Sequence, residues 1–248
     1  MKIKKDGTLF VHSSLRAIGP VDNGGEGVLD ALMEYMNEGL LVLPAHTWEF
    51  INDSNNVFDP WNDMTCVGTL PNLFLRRANT FRSLHPTHSV AAYGREAEAY
   101  VSGEEYATTP CSRTGCYGKL YDRRAKILFL GCSLKTNTFL HAVEEWNNVP
   151  YRITREPKNF YIKMKDGRLL PMSVRCHDDS VYPHVSETYD KMEPPFLHLG
   201  IAKKGRIGKA KSFLCDAVGM ADLVSRYLSI KPHLFGDDEP VPTHWYIK

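Results

Sequence analysis

The stretch from residue 9 to residue 44 leaves this chain few folds to choose from. A short apolar run, LFVHSSL at residues 9–15, ends in two serines and leads to Gly19-Pro20. GVLDALMEYM, residues 27–36, then sets Val28, Leu29, Leu32, Met33 and Met36 on one helix face. Gly39 closes that helix. LLVLP, Leu40–Pro44, is a second continuous apolar run, the pattern of a strand covered on both faces. Strand, helix and strand within about 36 residues is the grammar of a parallel βαβ unit.

The rest of the chain extends this theme and interrupts it once. Residues 46–66, HTWEFINDSNNVFDPWNDMTC, combine turn formers with four aromatics and read as the irregular wall of a cleft. Helices are expected over residues 70–79, with Pro71 in the first turn, and over 95–101; a strand is expected over 89–93. Residues 126–131 form the clearest strand of all. YRITREPKNFYIKMKDGRLLPMSVRC alternates and turns at Lys165-Asp166-Gly167, which predicts a β-hairpin. A final helix is expected over residues 212–227. The expectation is one α/β domain over residues 1–248, a central mostly parallel sheet between helices (an α/β/α sandwich). A small antiparallel β excursion and a variable substrate-side insertion fall at about residues 150–195.

Bulk properties narrow the function classes. The formal net charge of +1, with no strong basic cluster, gives no electrostatic reason to expect nucleic acid. No apolar run approaches the roughly 20 residues of a membrane span. The charged amino terminus has no signal-peptide character, and the six cysteines contain no C-x-x-C pair, so a cytoplasmic enzyme with reduced thiols is expected. Oligomeric state leaves no trace in the pattern.

Four segments carry candidate chemistry. In GCSLKTNTFLHAVEEW, residues 131–146, a strand ends at Gly131 and a helix is expected from Thr138, with Thr138 a candidate N-cap. Such corners at the carboxyl end of a parallel strand are where open α/β sheets bind ligands. His141 and Glu144 stand at i and i+3 and share a helix face, so Glu144 can orient the imidazole or stabilise its protonated form; the alternative is an idle pair on a surface helix. RSLHPTHSVAAYG, residues 82–94, offers Arg82, His85, His88 and Ser89. With His141 and Glu144 it could supply zinc ligands for a metal-dependent hydrolase, although Pro86 argues for extended chain and a ligand-lining loop or a core histidine. Cys132 follows a strand as a nucleophile does, but G-x-S-x-G is absent and a buried thiol is the simpler reading. His177, Asp178 and Asp179 could touch a metal or a cationic substrate, or form a solvated loop. Neither a dinucleotide fingerprint nor a Walker A sequence is present.

VHSSLRAIG followed by GGEGVLDALMEYMNEGLLVLPAHTW resembles the amino-terminal signature of the aminoglycoside 3-N-acetyltransferases. These belong to an antibiotic acetyltransferase superfamily unrelated in fold to the GNAT enzymes. FRSLHPTHSVAAYG, TGCYGKL, ILFLGCSLKTNTFLHAVEE and GRIGKAKSFLCDAVGMADLV follow in the same order, and the match is weakest between about 150 and 195. The resemblance implies acetyl transfer from acetyl-CoA to a small-molecule amine, with no metal. It implies His141 as base with Glu144 its partner, and a CoA wall of Ser13, Ser14, Leu15 and the His85–Ser89 segment. Arg82 is a candidate for the CoA phosphates. A polycationic acceptor such as a 2-deoxystreptamine aminoglycoside needs carboxylates, for which Glu49, Asp53, Glu145, Asp178 and Asp179 are available. The chain departs from the family by starting almost at its first strand, and by Cys116-Tyr117 in TTPCSRTGCYGKL where Ser-Pro is expected.

Overall fold

A computed structural model describes residues 2–247. β1 (Thr8–Ser13), a short α1 (Leu15–Ile18), α2 (Gly24–Tyr35) and β2 (Leu40–Pro44) form the expected unit, with β1 and β2 parallel. β3 (Val57–Phe58), α3 (Thr69–Phe74), β4 (Thr80–Arg82), β5 (Val90–Gly94), α4 (Ala97–Val101) and α5 (Cys116–Asp122) follow. β6 (Lys126–Leu130) leads to α6 (Thr138–Trp146), and β7 (Lys158–Lys163) and β8 (Leu169–Val174) form the hairpin. The chain closes with α7 (Glu193–His198), β9 (Ala202–Ile207), β10 (Ala210–Asp216) and α8 (Ala217–Ile230).

The main sheet has seven strands in the order β4-β5-β2-β1-β6-β10-β9. Its centre, β2-β1-β6, is parallel, and the strands on either side pair antiparallel. Parallel pairing is thus confined to the middle of the α/β/α sandwich. Alternation along the strands feeds two cores. Phe10, Val42, Ile127 and Phe129 face α5, α6 and α8. Leu9, Val11, Leu41, Leu43 and Leu128 face α2 and α3. A separate three-stranded sheet, β3-β7-β8, packs Phe58, Phe160, Ile162 and Val174 into a third core.

Two expected helices are corrected. Residues 212–216 are strand β10, paired with β6, and the helix starts only at Ala217, capped by Asp216 accepting from Gly219 N–H. SFLC is apolar enough for either element, and pairing with β6 decides it. The helix after residue 68 ends at Phe74, ahead of β4. Thr138 is the first residue of α6; Asn137 occupies the N-cap position, without a side-chain capping bond. Among the described residues no helix is long and apolar enough to cross a membrane, and all six cysteines are free.

Gly131 ends β6 with φ of 75°. A Cβ there would lie 2.6 Å from the Ala17 Cβ and 3.1 Å from the Ala210 Cβ. Backbone strain and overpacking therefore act together on Gly131→Ala. Urea unfolding should show a loss of about 2–4 kcal/mol, and a change under 1 kcal/mol would mean the corner relaxes freely.

Candidate active site

A cleft of ≈ 690 Å³ opens at the carboxyl ends of the three parallel strands. One wall comes from the ends of β1 and β6: His12, Ser13 and the Lys135–Thr138 turn. The other is made by the segment after β2 (His46, Trp48, Ile51, Asn52) and by Phe160, Cys176, His177 and Asp179 around the small sheet. His88 and His141 sit between them. This is where ligands enter open α/β sheets, because the chain leaves parallel strands there in divergent loops.

At its base His141, Glu144, Arg152 and Tyr189 converge. His141 Nδ1 is 3.2 Å from Glu144 Oε2 and 2.7 Å from the Tyr189 hydroxyl. That hydroxyl donates to Glu144 Oε2 at 2.6 Å. Glu144 Oε2 and the Tyr189 oxygen can both accept from Nδ1–H, the tautomer that leaves Nε2 with its lone pair. Arg152 Nε approaches Glu144 Oε2 at 3.4 Å; its Nη2, a donor, lies 3.2 Å from His141 Nδ1 and is not a partner of that tautomer. Glu144 and Arg152 are only 2% and 3% exposed, so each depends on the other for its charge. Burial works to raise the Glu144 carboxyl, but the His141 hydrogen bond, the Arg152 charge and Tyr189 outweigh it and hold it below the ordinary value. Burial lowers the His141 imidazole; the Glu144 hydrogen bond opposes this without cancelling it, and His177 adds to the lowering. The outcome is a neutral imidazole facing a cleft, backed by a carboxylate.

A second carboxylate–histidine pair lies beside the first. Glu145 Oε1 is 2.7 Å from His177 Nε2, and the His177 and His141 ring centroids are 4.8 Å apart. His88 packs edge-on against His177, and His46 sits 4.9 Å from His88 with its Nε2 2.7 Å from the Tyr117 hydroxyl. Burial drives His46 and His88 well below the usual imidazole range.

Several sequence expectations are placed differently. Arg82 is buried and donates to the carbonyls of Ala45 and Asp63 and to Ser89 Oγ, while Ser89 donates to the Ala45 carbonyl. They brace the 45–63 segment instead of facing the cleft. His85 is fully buried, and its Nδ1 accepts from the Thr87 and His88 backbone N–H groups. His85, His88 and His141 do not converge as ligands. Among the described residues the one three-ligand grouping is Cys111, Glu145 and His177. Ser13 lines the cleft, whereas Ser14 and Leu15 do not. Burial raises the Cys132 thiol, the opposite of an activated nucleophile. Glu145 accepts from Cys111 N–H as well as meeting His177, Glu49 is exposed outside the lining, and Asp178 accepts from Ser180 N–H. Asp179 alone of the expected acids reaches the cleft. Arg152, Tyr189 and His12 lay outside the sequence reading. Arg152 and Tyr189 fall in the weakly patterned 150–195 segment, and His12 inside an apolar strand looks like core.

With this geometry in place, comparison with known proteins assigns the chain to a class. Residues 10–229 match the family model of the aminoglycoside 3-N-acetyltransferases. The chain belongs to that family and is an acyltransferase. Aminoglycoside N(3)-acetyltransferase IV of Salmonella sp is 29% identical over 207 residues, covering 82% of this chain and 74% of the relative. Aminoglycoside N(3)-acetyltransferase IX of Micromonospora chalcea is 26% identical, covering 92% and 89%. The structure of an aminoglycoside acetyltransferase AAC(3)-IVa mutant with gentamicin superposes with a TM-score of 0.80 at 27% identity, covering 94% of this chain and 85% of that one.

Two expected outcomes follow from the buried charges. Arg152→Met strands the Glu144 carboxylate and should destabilise by about 3–5 kcal/mol. Adding Glu144→Gln should return most of that loss in chemical denaturation, whereas additive losses would mean the pair is not coupled. The second concerns pH. Burial lowers His12 to about 3, and burial with the His177 charge lowers His85 to about 3. Below the unfolded value of 6.5 the unfolded chain binds protons the native state refuses, so stability is lost as pH falls from about 6.5 toward 3. At pH 5.5 these two residues should remove about 3 kcal/mol together, and His46 and His88, also lowered well below the imidazole range, add to the loss. His85→Asn keeps an acceptor without a titrating ring and should return about 1.4 kcal/mol in chemical denaturation, roughly a quarter of the loss from these four histidines. An unchanged pH dependence would place the titration elsewhere.

Proposed function

We propose that this protein transfers the acetyl group of acetyl-CoA to a primary amine by direct attack in a ternary complex, with His141 as general base. The observation that carries this reading is the His141–Glu144–Tyr189 arrangement, which leaves an imidazole lone pair at the floor of the cleft. A thioester is already activated, and its leaving thiolate needs little help because a free thiol has a pKa of about 8.5. An amine is largely ammonium at neutral pH and must lose a proton. His141 Nε2 takes that proton, and the lone pair so freed forms the C–N bond. The C–S bond breaks with its electron pair on sulfur, the second N–H proton passes to that thiolate, and the imidazolium returns its proton to the medium. The products are the amide, CoA thiol and, from an ammonium reactant, one net proton.

Glu144 and Tyr189 fix the ring and stabilise the imidazolium while it lasts. Ser13, Lys135 and Thr138 form the wall along which the pantetheine arm lies; Lys135, paired with Glu187 at 2.8 Å, is the cation on that wall that a phosphate would recruit. The 46–52 segment and the small sheet form the acceptor side. Family membership supports an amino group of an aminoglycoside, the 3-amino position of 2-deoxystreptamine first, as the acceptor to assay.

His141→Ala should lower turnover by a factor on the order of 10² or more, with acetyl-CoA affinity by calorimetry close to wild type. Wild-type turnover in that variant would move the base elsewhere.

A further inference from the structure

Beside the His141 site, three side chains of unlike chemistry converge from distant parts of the chain. Cys111 precedes α5, Glu145 lies on α6 and His177 follows β8. The Cys111 Sγ, a Glu145 carboxylate oxygen and a His177 ring nitrogen lie within 4.8 Å of one another. Cys111 is buried, and the Glu145 side chain is only 5% exposed. The surrounding chain holds them there. Cys111 donates its N–H to Glu145 Oε1 at 3.0 Å, and its carbonyl accepts from Trp146 Nε1 at 2.9 Å. His177 is fixed by an isolated β-bridge to Ile153 and, through Nε2, by Glu145 Oε1 at 2.7 Å.

Glu145 is the member left incomplete. Its Oε1 serves both the Cys111 N–H and His177, whereas Oε2 is buried with no hydrogen-bond partner. Among the described residues its ion-pair partner is His177 alone. A bare buried carboxylate oxygen is costly, and a cation is the partner that would satisfy it. The donor set selects the cation. Sulfur and imidazole nitrogen favour zinc, whereas magnesium and calcium seek oxygen.

We propose that Cys111, Glu145 and His177 form a zinc site, with water or a small ligand in the fourth position. As the ion binds, the Cys111 thiol proton passes to the medium. The thiolate and the Glu145 carboxylate then balance its two positive charges. Tetrahedral zinc sets its ligand atoms about 3.3–3.8 Å apart, so a side-chain rotation must close the widest gap by about 1–1.5 Å. A cavity of ≈ 440 Å³ that Glu145 lines with Thr108, Ser112 and Arg175 gives the ion a way in apart from the catalytic cleft. Bound there, it clamps the chain ahead of α5 and the chain after β8 onto α6, and so stabilises the fold.

The test uses the full chain, dialysed against EDTA and then titrated with zinc or cobalt(II) chloride. Calorimetry should give one zinc per chain with micromolar or tighter affinity, and magnesium should not compete. Cobalt(II) should produce a thiolate-to-metal charge-transfer band in the near ultraviolet. Cys111→Ser should abolish that band, His177→Gln should weaken zinc binding tenfold or more, and Cys132→Ser should change neither. Zinc should raise the melting temperature of the wild-type chain more than that of His177→Gln. Absence of the band, its persistence in Cys111→Ser or its loss in Cys132→Ser would overturn the site. Equal zinc affinity in wild type and His177→Gln would overturn it too, and decides the matter alone if Cys111→Ser does not fold.

Discussion

The buried Glu144–Arg152 pair is the contact on which the working part of this molecule depends. A carboxylate this deep is costly unless it is paired and hydrogen-bonded. Here one oxygen collects the Tyr189 hydroxyl, the Arg152 guanidinium and the His141 ring. Those partners come from α6, from the chain just beyond it and from the segment ahead of α7. Side chains from His141 to Tyr189 are therefore pinned to one oxygen atom. The imidazole is oriented because the carboxylate must be satisfied, so structural necessity and chemical positioning coincide.

This coupling reaches the cleft wall. Arg152 also donates to the Asp178 carbonyl and meets Asp179, so it ties His141 to the strip that lines the cleft. Arg152 and Tyr189 both lie beyond α6, so changes in that stretch are constrained to preserve the support of His141.

How much of this is legible in the sequence follows from which interactions are local. The βαβ start, the β6 strand and the β7–β8 hairpin declare themselves because their periodicity and turn residues act within a few positions. His141 with Glu144 is legible for the same reason, being one helix turn. Residues 212–216 look like helix in the sequence because only their pairing with β6, a contact across some 80 residues, makes SFLC a strand. The antiparallel flanks of the sheet are hidden likewise. Arg82 and Ser89 look like ligand groups by type, but the fold spends them on the carbonyls of Ala45 and Asp63. Arg152 and Tyr189 carry no local signal at all, since their role exists only once α6 and the later segment meet.

The two adjacent glutamates of α6 sharpen the electrostatic picture. Successive helix residues point about 100° apart, so Glu144 and Glu145 reach different histidines, His141 and His177, whose rings lie 4.8 Å from each other. A charge on the His177 ring disfavours one on His141, and burial disfavours the His141 charge as well. A proton that arrives on His141 therefore meets one partner that welcomes it, Glu144, and surroundings that do not. The His141 ring is held neutral, with a carboxylate placed to stabilise a transient imidazolium. The same reluctance to keep positive charge extends along His88 and His46, which burial holds neutral beside the His141–His177 pair.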